Sequence, residues 1–402
     1  MLERLRKIGP GAMVAAAFIG PGTVTTATLS GARFGYTLLW AVLFSVLATL
    51  VLQEMAARLG IIGGKGMGQA IREKSSKPWS RLLAGFLVIG AILIGNAAYE
   101  AGNITGAALG FSSMIEAEKW IINPLIPVIA LVAFFLLFSG KYKIIERSLV
   151  LLVTVMGIVF LIAAVMSRPN LVAIIKGLFI PHIPENSLLM VMGLIGTTVV
   201  PYNLFLHASA VQEKWSGAER LADARMDTYI SVILGGIITA AILITSAVVL
   251  HTEGVEVNNA FDLANQLRPF MGPAADWFIA MGFLAAGVSS SITAPLAAAY
   301  ATSGMMGWPG DMRSQNFRAI WIFVLLSGLV FASWGFKPIK VILFAQIANG
   351  ILLPVIAAFL LWTMNDPGIM GTFRNRRTQN IFGLFILVIA LMLGLKSIIT
   401  VF

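Results

Sequence analysis

The sequence predicts an all-α protein that crosses a membrane many times, and three observations support this fold class. First, 58% of the 402 residues are hydrophobic and only 11% are charged, whereas soluble domains carry about 25% charged residues. Second, apolar runs of roughly 20 residues, the length of a membrane-spanning helix, recur along the whole chain. Third, two of these runs are interrupted by helix-breaking residues, at 20–23 (Gly-Pro-Gly-Thr) and at 199–203 (Val-Val-Pro-Tyr-Asn).

Hydropathy predicts about eleven spans joined by short loops. No loop has the size of an independent soluble domain, so we predict a single transmembrane domain over 1–402. The segment 251–272, the longest on the outer side, mixes acidic and apolar residues and predicts a short surface helix. The approximate span limits are 9–33, 36–59, 82–113, 123–139, 147–166, 187–212, 227–250, 274–304, 318–335, 338–363 and 379–401.

The distribution of basic residues predicts the orientation. With a cytoplasmic N-terminus, most of the 28 Lys and Arg residues fall in inner loops, including those within 58–81 and 374–377. Cytoplasmic loops of membrane proteins carry such an excess. The acidic residues Glu116 and Glu118 then lie outside. We therefore expect a multi-pass cell-membrane protein whose odd number of spans places its C-terminus outside.

Composition excludes several classes of function. The chain has no Cys, which excludes disulfides, thiolate metal sites and cysteine nucleophiles. The Gly-rich stretch 60–68 lacks the Gly-Lys-Ser/Thr ending of a phosphate loop and predicts a flexible cytoplasmic turn. No catalytic triad, nucleotide-binding domain or zinc motif is present. We predict neither an enzyme nor a pump, no cofactor, no nucleic-acid partner and no obligate protein partner; the partners are the lipid bilayer and a small ion or solute.

Each break interrupts the first helix of a predicted five-helix block. Because five is odd, the two blocks start on opposite sides of the membrane, as in an inverted repeat. We predict repeat 1 at about 9–166, repeat 2 at about 187–363 and an additional helix at about 379–401.

The breaks carry the predicted chemistry. Proline removes a backbone hydrogen-bond donor, and glycine lets the backbone open. We expect the following half-helix to begin near Thr23 and to present free N–H groups. Two structural proline kinks are the simpler alternative, but a matched pair favours a substrate site. Polar residues Thr197, Thr198, Tyr202 and Asn203 flank the second break. The predicted site residues are Gly20, Gly22, Thr23, Thr198, Val200, Tyr202 and Asn203.

Other polar residues within spans are candidates for ion coupling. Glu100 is an intramembrane acid, which predicts a proton carrier or a salt bridge to Arg318. His207 follows Asn203 by one helical turn and predicts either a proton relay or a structural hydrogen bond. Ser290, within a run of three serines, predicts a sodium ligand or close helix packing. Glu54 and Asp227 lie near cytoplasmic helix ends and are predicted to be paired or to reach the interface.

The segments around the breaks resemble a known family. IGPGTVTTATLSGARFGYTLLWAVLFS (19–45) is similar to the first-helix region of the natural-resistance-associated macrophage protein (Nramp) family, and GLIGTTVVPYNLFLHASAV (193–211) to its sixth helix. KYKIIERSLVLLVTVMGIVFLIAAV, ITGAALG and AQIANGILLP also resemble family segments. The resemblance implies a leucine-transporter-like fold, alternating access and metal-ion transport, and it places Gln346 at a polar site position.

The chain departs from the family where the metal ligands belong. The resemblance implies Asp-Pro-Gly-Asn in the first helix and Met-Pro-His in the sixth, where this sequence has Gly20, Thr23, Val200 and Tyr202. The family's acidic pair on the third helix appears here as Glu100 and Asn103. Transition metals need ligands matched to their softness. The sequence therefore predicts the family's scaffold without its manganese or iron coordination.

Two substrate hypotheses follow. In the first, the chain keeps metal-ion transport through a changed ligand set, with a partly hydrated ion. In the second, an uncharged cavity with exposed helix N-termini binds a small organic or anionic solute, coupled to protons or sodium. Ligand chemistry alone favours a substrate that is not a transition metal. A non-transporting receptor is the third class, and the absence of a large loop argues against it.

Overall fold

The computed structural model describes residues 9–112, 123–139 and 142–401, and within these ranges every regular element is a helix. The basic residues of 1–7, Glu116, Glu118 and Lys141 lie outside the described residues. The first helices are α1 Pro10–Phe18, α2 Pro21–Phe34, α3 Leu39–Gly63, α4 Met67–Lys74, α5 Pro78–Ser112, α6 Leu125–Ser139, α7 Tyr142–Met166, α8 Leu171–Phe179, α9 Leu188–Thr198 and α10 Pro201–Lys214. They are followed by α11 Leu221–Glu253, α12 Ala260–Asn265, α13 Arg268–Met271, α14 Ala274–Met306, α15 Gln315–Ala332, α16 Pro338–Met364, α17 Pro367–Met370 and α18 Arg377–Val401.

The helices match the predicted spans. Eight helical stretches in the described part of the chain are long and apolar enough to cross a membrane: α3, α5, α9 with α10, α11, α14, α15, α16 and α18. Two shorter apolar helices, α6 and the later part of α7, and the divided pair α1 and α2 correspond to the remaining spans. The predicted all-α, polytopic architecture is confirmed.

One span differs from its predicted limits in an instructive way. The prediction began this span at residue 318, whereas α15 begins at Gln315 and ends at Ala332. Ser314 caps its first turn, with the side-chain oxygen accepting from the backbone N–H of Phe317 at 3.3 Å. Hydropathy reports where apolar residues begin, whereas the helix begins at its cap, which is polar.

Burial separates central helices from peripheral ones. In the central helices α9, α10 and α14, about nine tenths of the residues in the apolar membrane-spanning segment are buried inside the protein. In α15 and α18 only a third of these residues are buried. The peripheral helices expose large apolar side chains such as Phe323 of α15 and Ile399 of α18. In a membrane protein these surfaces contact lipid, so an outward apolar side chain is not a defect. The breaks therefore lie in the innermost helices.

Both predicted helix breaks are present. α1 ends at Phe18, Gly20 is extended (φ −106°, ψ −175°), and α2 begins at Pro21. α9 ends at Thr198, Val200 is extended (φ −73°, ψ 117°), and α10 begins at Pro201. Both prolines occupy a position in the first turn, where a missing N–H costs nothing. For this reason α2 begins two residues earlier than the predicted start near Thr23.

Two predicted loop features are more ordered than expected. The segment 251–272 contains α12 and α13, and Leu263 and Leu267 in it are fully buried. The Gly-rich stretch 60–68 is not a free turn, because a Cβ on Gly68 would lie 2.5 Å from the carbonyl oxygen of Ala301. Glycine there allows α4 to pack closely against α14.

Candidate functional site

The two helix breaks are in direct contact. The hydroxyl of Thr23, in the first turn of α2, donates to the carbonyl oxygen of Phe18 at the end of α1. The Thr23 and Thr197 Oγ1 atoms are 2.8 Å apart. Since a hydroxyl has one proton to donate, Thr197 donates to Thr23. One threonine thus joins both halves of the first broken helix to the second.

α14 packs against the first break through Ser290. The Ser290 hydroxyl donates to the carbonyl oxygen of Ala17 at 3.4 Å, and a Cβ on Gly20 would lie 2.9 Å from the Ser290 Oγ. The carbonyls of Ala17 and Phe18 belong to the last turn of α1, where carbonyls lack helical partners. Hydroxyl and carbonyl oxygens therefore converge at the end of α1.

Gln346 reaches the same place from α16. A Cβ on Gly22 would lie 2.1 Å from Gln346 Nε2, so only glycine leaves room for this side chain. On α9, a Cβ on Gly196 would lie 1.9 Å from the backbone oxygen of Gln346, so glycine is also required for that close approach. Gln346 therefore lies between the two broken helices, as predicted for a site residue.

The first turn of α10 contributes Tyr202 and Asn203. The ring of Tyr202 packs edge-on against Tyr99 of α5, with centroids 5.2 Å apart. Neither the Tyr202 hydroxyl nor either amide atom of Asn203 has a hydrogen bond of standard geometry among the described residues, and both side chains are fully buried. Leaving buried polar atoms unpaired costs about 1–3 kcal/mol for each group. Such groups are typical of binding sites.

We refer to Thr23, Thr197, Tyr202, Asn203 and Gln346 as the central cluster. All five side chains are at most 1% exposed, so the cluster is closed to both ends of the molecule. At the end of α12, the buried Gln266 donates to the hydroxyl of Thr28 at 2.8 Å. Other buried side-chain atoms without a partner of standard geometry lie on α2, α5, α14 and α16, in Thr25, Thr26, Glu100, Thr105, Ser291 and Asn349.

Glu100 lies next to this cluster on α5. Its Oε2 accepts from Asn103 Nδ2 at 3.3 Å, while Oε1 has no partner of standard geometry, although the Ser291 hydroxyl lies near the carboxyl group. Glu100 has no ion pair among the described residues. The predicted alternative of a salt bridge to Arg318 is wrong, because the Arg318 guanidinium lies over the ring of Phe138, 4.6 Å from its centroid.

Three predicted residues make other contacts. The Thr198 hydroxyl donates to Leu194 within its own helix at 3.1 Å, and Val200 packs in the apolar core. His207 lies one turn beyond Asn203, with Nδ1 2.9 Å from Gln53 Oε1, and is fully buried. The contact expected of Thr198 is made by Thr197. Tyr99, beside Glu100, was missed because nothing in the sequence distinguishes it from a core aromatic residue.

Metal-binding chemistry at the cluster is limited to oxygen and amide groups. No three His, Asp or Glu side chains are grouped together anywhere in the described ranges, and the chain has no Cys. The available donors are hydroxyls, carboxamides, backbone carbonyls and one nearby carboxyl group. Hard cations prefer such oxygens, whereas soft transition metals do not.

Comparison with known proteins gives the family. Residues 11–400 match the family model described as natural resistance-associated macrophage protein-like. The chain belongs to the Nramp family. Among its relatives is the divalent metal cation transporter MntH of Staphylococcus haemolyticus, 31% identical over 98% of this chain and 92% of the relative. MntH of Erwinia tasmaniensis is 26% identical over 96% of this chain and 92% of that protein.

Solved structures agree on the fold. A manganese transporter from Eremococcus coleocola, in complex with an aromatic bis-isothiourea compound, superposes with a TM-score of 0.78 at 24% identity, covering 98% of this chain and 86% of the other. MhsT in complex with L-phenylalanine has a TM-score of 0.65 at 17% identity, covering 98% of each chain. The predicted leucine-transporter-like fold of this Nramp protein is confirmed.

A second buried polar group lies near one end of this Nramp protein. Glu54 on α3 lies between Arg58, at 3.1 Å, and Arg225 on α11, at 2.7 Å. Arg58 also donates to the Phe373 carbonyl at 2.6 Å and to Asn375 Oδ1 at 2.8 Å. We call these five residues the basic-end cluster. Glu54 is paired, as the sequence predicted.

At the same end, Asp227 of α11 holds the start of α1. Its carboxylate oxygens accept from the backbone N–H groups of Gly9 at 2.9 Å and Gly11 at 2.7 Å. The first N–H groups of a helix have no helical partner, and a carboxylate there is stabilising. The predicted pairing of Asp227 is therefore to backbone donors, and it fixes the half-helix that leads to the break.

Proposed function

We propose that the chain is a secondary transporter that works by alternating access around a central site between α1–α2 and α9–α10. The observation that carries this proposal is the contact of the two breaks through Thr23 and Thr197, within a cluster closed to both ends. Unwound backbone at membrane depth is tolerated only where protein or a cavity satisfies it. A closed central site corresponds to an occluded intermediate of the transport cycle.

The proposal includes the arrangement of the chain. Repeat 1 covers about 9–166, repeat 2 about 187–363, and the helix at about 379–401 is an addition. The N-terminus is cytoplasmic and the C-terminus external, because the basic residues then lie mainly inside. In this orientation the basic-end cluster closes the cytoplasmic side, and Gln266 lies on the external side.

We propose a small metal ion as substrate, bound by hard oxygen ligands. The relatives' names support metal-ion transport. The hydroxyls of Thr23 and Thr197, the carbonyl end of α1 and the amide of Gln346 supply oxygens suited to a hard cation. Since the ligand positions that the family resemblance implies hold Gly20, Thr23 and Val200, manganese or iron is not bound as in the family pattern. The ion retains part of its hydration shell, because none of the described carboxylates contacts the breaks to replace it.

A small organic or anionic solute is the second candidate, favoured by Asn203. This carboxamide has an unpaired donor and an unpaired acceptor beside the Tyr99 and Tyr202 rings, an arrangement suited to a neutral polar group. The first turns of α2 and α10 also direct backbone N–H groups into the site, and such turns attract anions. A solute of this kind would use proton or sodium coupling.

Coupling is assigned to two places. Glu100 carries the proton, with Asn103 as its hydrogen-bond partner and His207 further along α10 as the relay. Ser290 with the Ala17 carbonyl is the alternative, a site for sodium, whose preference is also for hard oxygens. These assignments rest on the polar atoms available at each place.

The test is substrate binding to the purified protein, measured by isothermal titration with Mg²⁺, Mn²⁺ and a panel of amino acids and carboxylates. The Thr23→Val variant is compared with Thr239→Val, a buried threonine whose hydroxyl bonds only within its own helix. We expect Thr23→Val to weaken binding about tenfold, which corresponds to the loss of a ligand contact of roughly 1.4 kcal/mol, and Thr239→Val to leave it unchanged. Equal affinities in both variants would remove Thr23 from the site, and binding of an amino acid or carboxylate but of neither metal ion would refute the metal-ion assignment.

A further inference from the structure

A cavity of about 460 Å³ lies where the chain passes from α17 into α18. Its polar lining comes from Arg374 and Arg377 and from the carboxamides of Asn365 and Asn380. Ile381 and Leu384 of α18 form its apolar side. The cavity is separate from the central cluster and shares no residue with it.

The two arginines are available to an external anion. Both are exposed, and neither forms an ion pair among the described residues. Asp366, the nearest acid in the sequence, is already occupied: its side chain accepts from the N–H groups of Gly368 and Ile369 and lies 3.4 Å from Lys74. The positive charge at the cavity is therefore not neutralised by this neighbouring acid.

The carboxamides form a fixed wall rather than a mobile one. Asn365 Nδ2 donates to Asn380 Oδ1 at 2.9 Å, and Asn380 Nδ2 donates to Asn365 Oδ1 at 2.7 Å. Asn375 donates to the same Asn380 oxygen at 2.9 Å. These bonds join the end of α16, the connecting loop and the first turn of α18, so the cavity is built from elements that hold one another in place.

The apolar side faces the membrane. Ile381 is 58% exposed and Leu384 is 56% exposed, and α18 is one of the peripheral helices. A ligand that fits this cavity combines an anionic group for the guanidinium groups with apolar chains that lie along α18. Among molecules at a membrane surface, a phospholipid with a net negative headgroup has this combination, and basic pockets beside transmembrane helices bind such headgroups.

We propose that this cavity binds the headgroup of an anionic phospholipid. The phosphate interacts with Arg374 and Arg377, which can present paired N–H donors to its oxygens. Hydroxyls of the headgroup bond to the carboxamides, and the acyl chains pack on Ile381 and Leu384. Because Asn375 and the neighbouring Phe373 carbonyl both bond to Arg58, an occupied cavity also holds the basic-end cluster together.

The experiment measures binding of a short-chain anionic lipid, dioctanoyl phosphatidylglycerol, to the full-length protein in detergent, through the shift of the thermal unfolding midpoint across a lipid titration. Dioctanoyl phosphatidylcholine, which is zwitterionic and has no net charge, is the comparison. We expect phosphatidylglycerol to raise the midpoint and phosphatidylcholine not to do so. The double variant Arg374→Gln/Arg377→Gln should weaken the apparent affinity about tenfold or more.

Arg376→Gln is the matched control, because Arg376 is exposed in the same loop but does not line the cavity. We expect it to bind phosphatidylglycerol like the unmodified protein. Equal weakening in Arg376→Gln would show general charge attraction and overturn the site. Equal binding of glycerol 3-phosphate would identify a free anion as the ligand and overturn the lipid assignment. If the double variant does not fold, the single variants Arg374→Gln and Arg377→Gln decide, and unchanged affinity in both would also overturn the proposal.

Discussion

The central cluster and the basic-end cluster are both buried and polar, but they differ in how far their hydrogen bonds are satisfied. In the basic-end cluster, both oxygens of Glu54 are paired with arginines, and Arg58 has additional bonds to Phe373 and Asn375, so that among the described residues of this cluster only Arg58 Nε lacks a partner of standard geometry. In the central cluster, Tyr202, Asn203 and Gln346 each keep at least one atom without a partner of standard geometry. A network in which nearly every group is paired stabilises one conformation, whereas several unpaired groups together are available to a ligand. The difference separates a structural closure from a binding site.

The largest expected effect comes from breaking the basic-end cluster. Glu54→Ala leaves Arg58 buried without its carboxylate, and removing one partner of a buried ion pair costs about 3–5 kcal/mol. The measurement is chemical or thermal unfolding in detergent. Glu73→Ala is the control, because the Lys65–Glu73 pair lies at the surface and is partly exposed, and surface pairs contribute about 0–1 kcal/mol. Similar losses in the two variants would contradict the structural role of the basic-end cluster.

The next effect has the opposite sign. Asn203→Leu keeps the shape of the side chain but removes two buried polar atoms that have no partner. We expect the free energy of unfolding to increase by about 1–3 kcal/mol, the cost of leaving such a group unsatisfied, and transport into proteoliposomes to be lost. Stability and uptake must be measured on the same preparation. A less stable variant would show that Asn203 supports the fold rather than the substrate.

The smallest expected change in stability is at Glu100. Glu100→Gln keeps the size of the side chain and its acceptor for Asn103, so we expect the free energy of unfolding to change by about 1 kcal/mol or less. Uptake driven by a proton gradient should be lost, while exchange of substrate without a gradient continues. Asn103→Ala, which removes the partner but not the acid, is the companion variant. Gradient-driven uptake that persists in Glu100→Gln would remove this residue from coupling and favour the sodium alternative at Ser290.

Sequence reasoning identified those parts of the site that depend on local chain chemistry. The two breaks were predicted because proline lacks a donor and glycine tolerates an open backbone, and both effects act within a few residues. Proline alone does not determine a break, because Pro295 and Pro354 lie inside continuous helices. The flanking glycine at residue 20 and the extended Val200 accompany the two prolines that begin new helices.

The sequence by itself also determined the spans, the family and the absence of the family's ligand residues, because hydropathy and residue identity are properties of the chain. Only the tertiary structure decided that Thr197 rather than Thr198 contacts Thr23. The non-helical backbone at Val199 and Val200 interrupts the regular rotation of about 100° per residue, so helical periodicity does not carry across the break. The tertiary structure also decided the contact between Arg58 and Asn375. These residues are far apart in the chain, and the contact forms only when the helices pack.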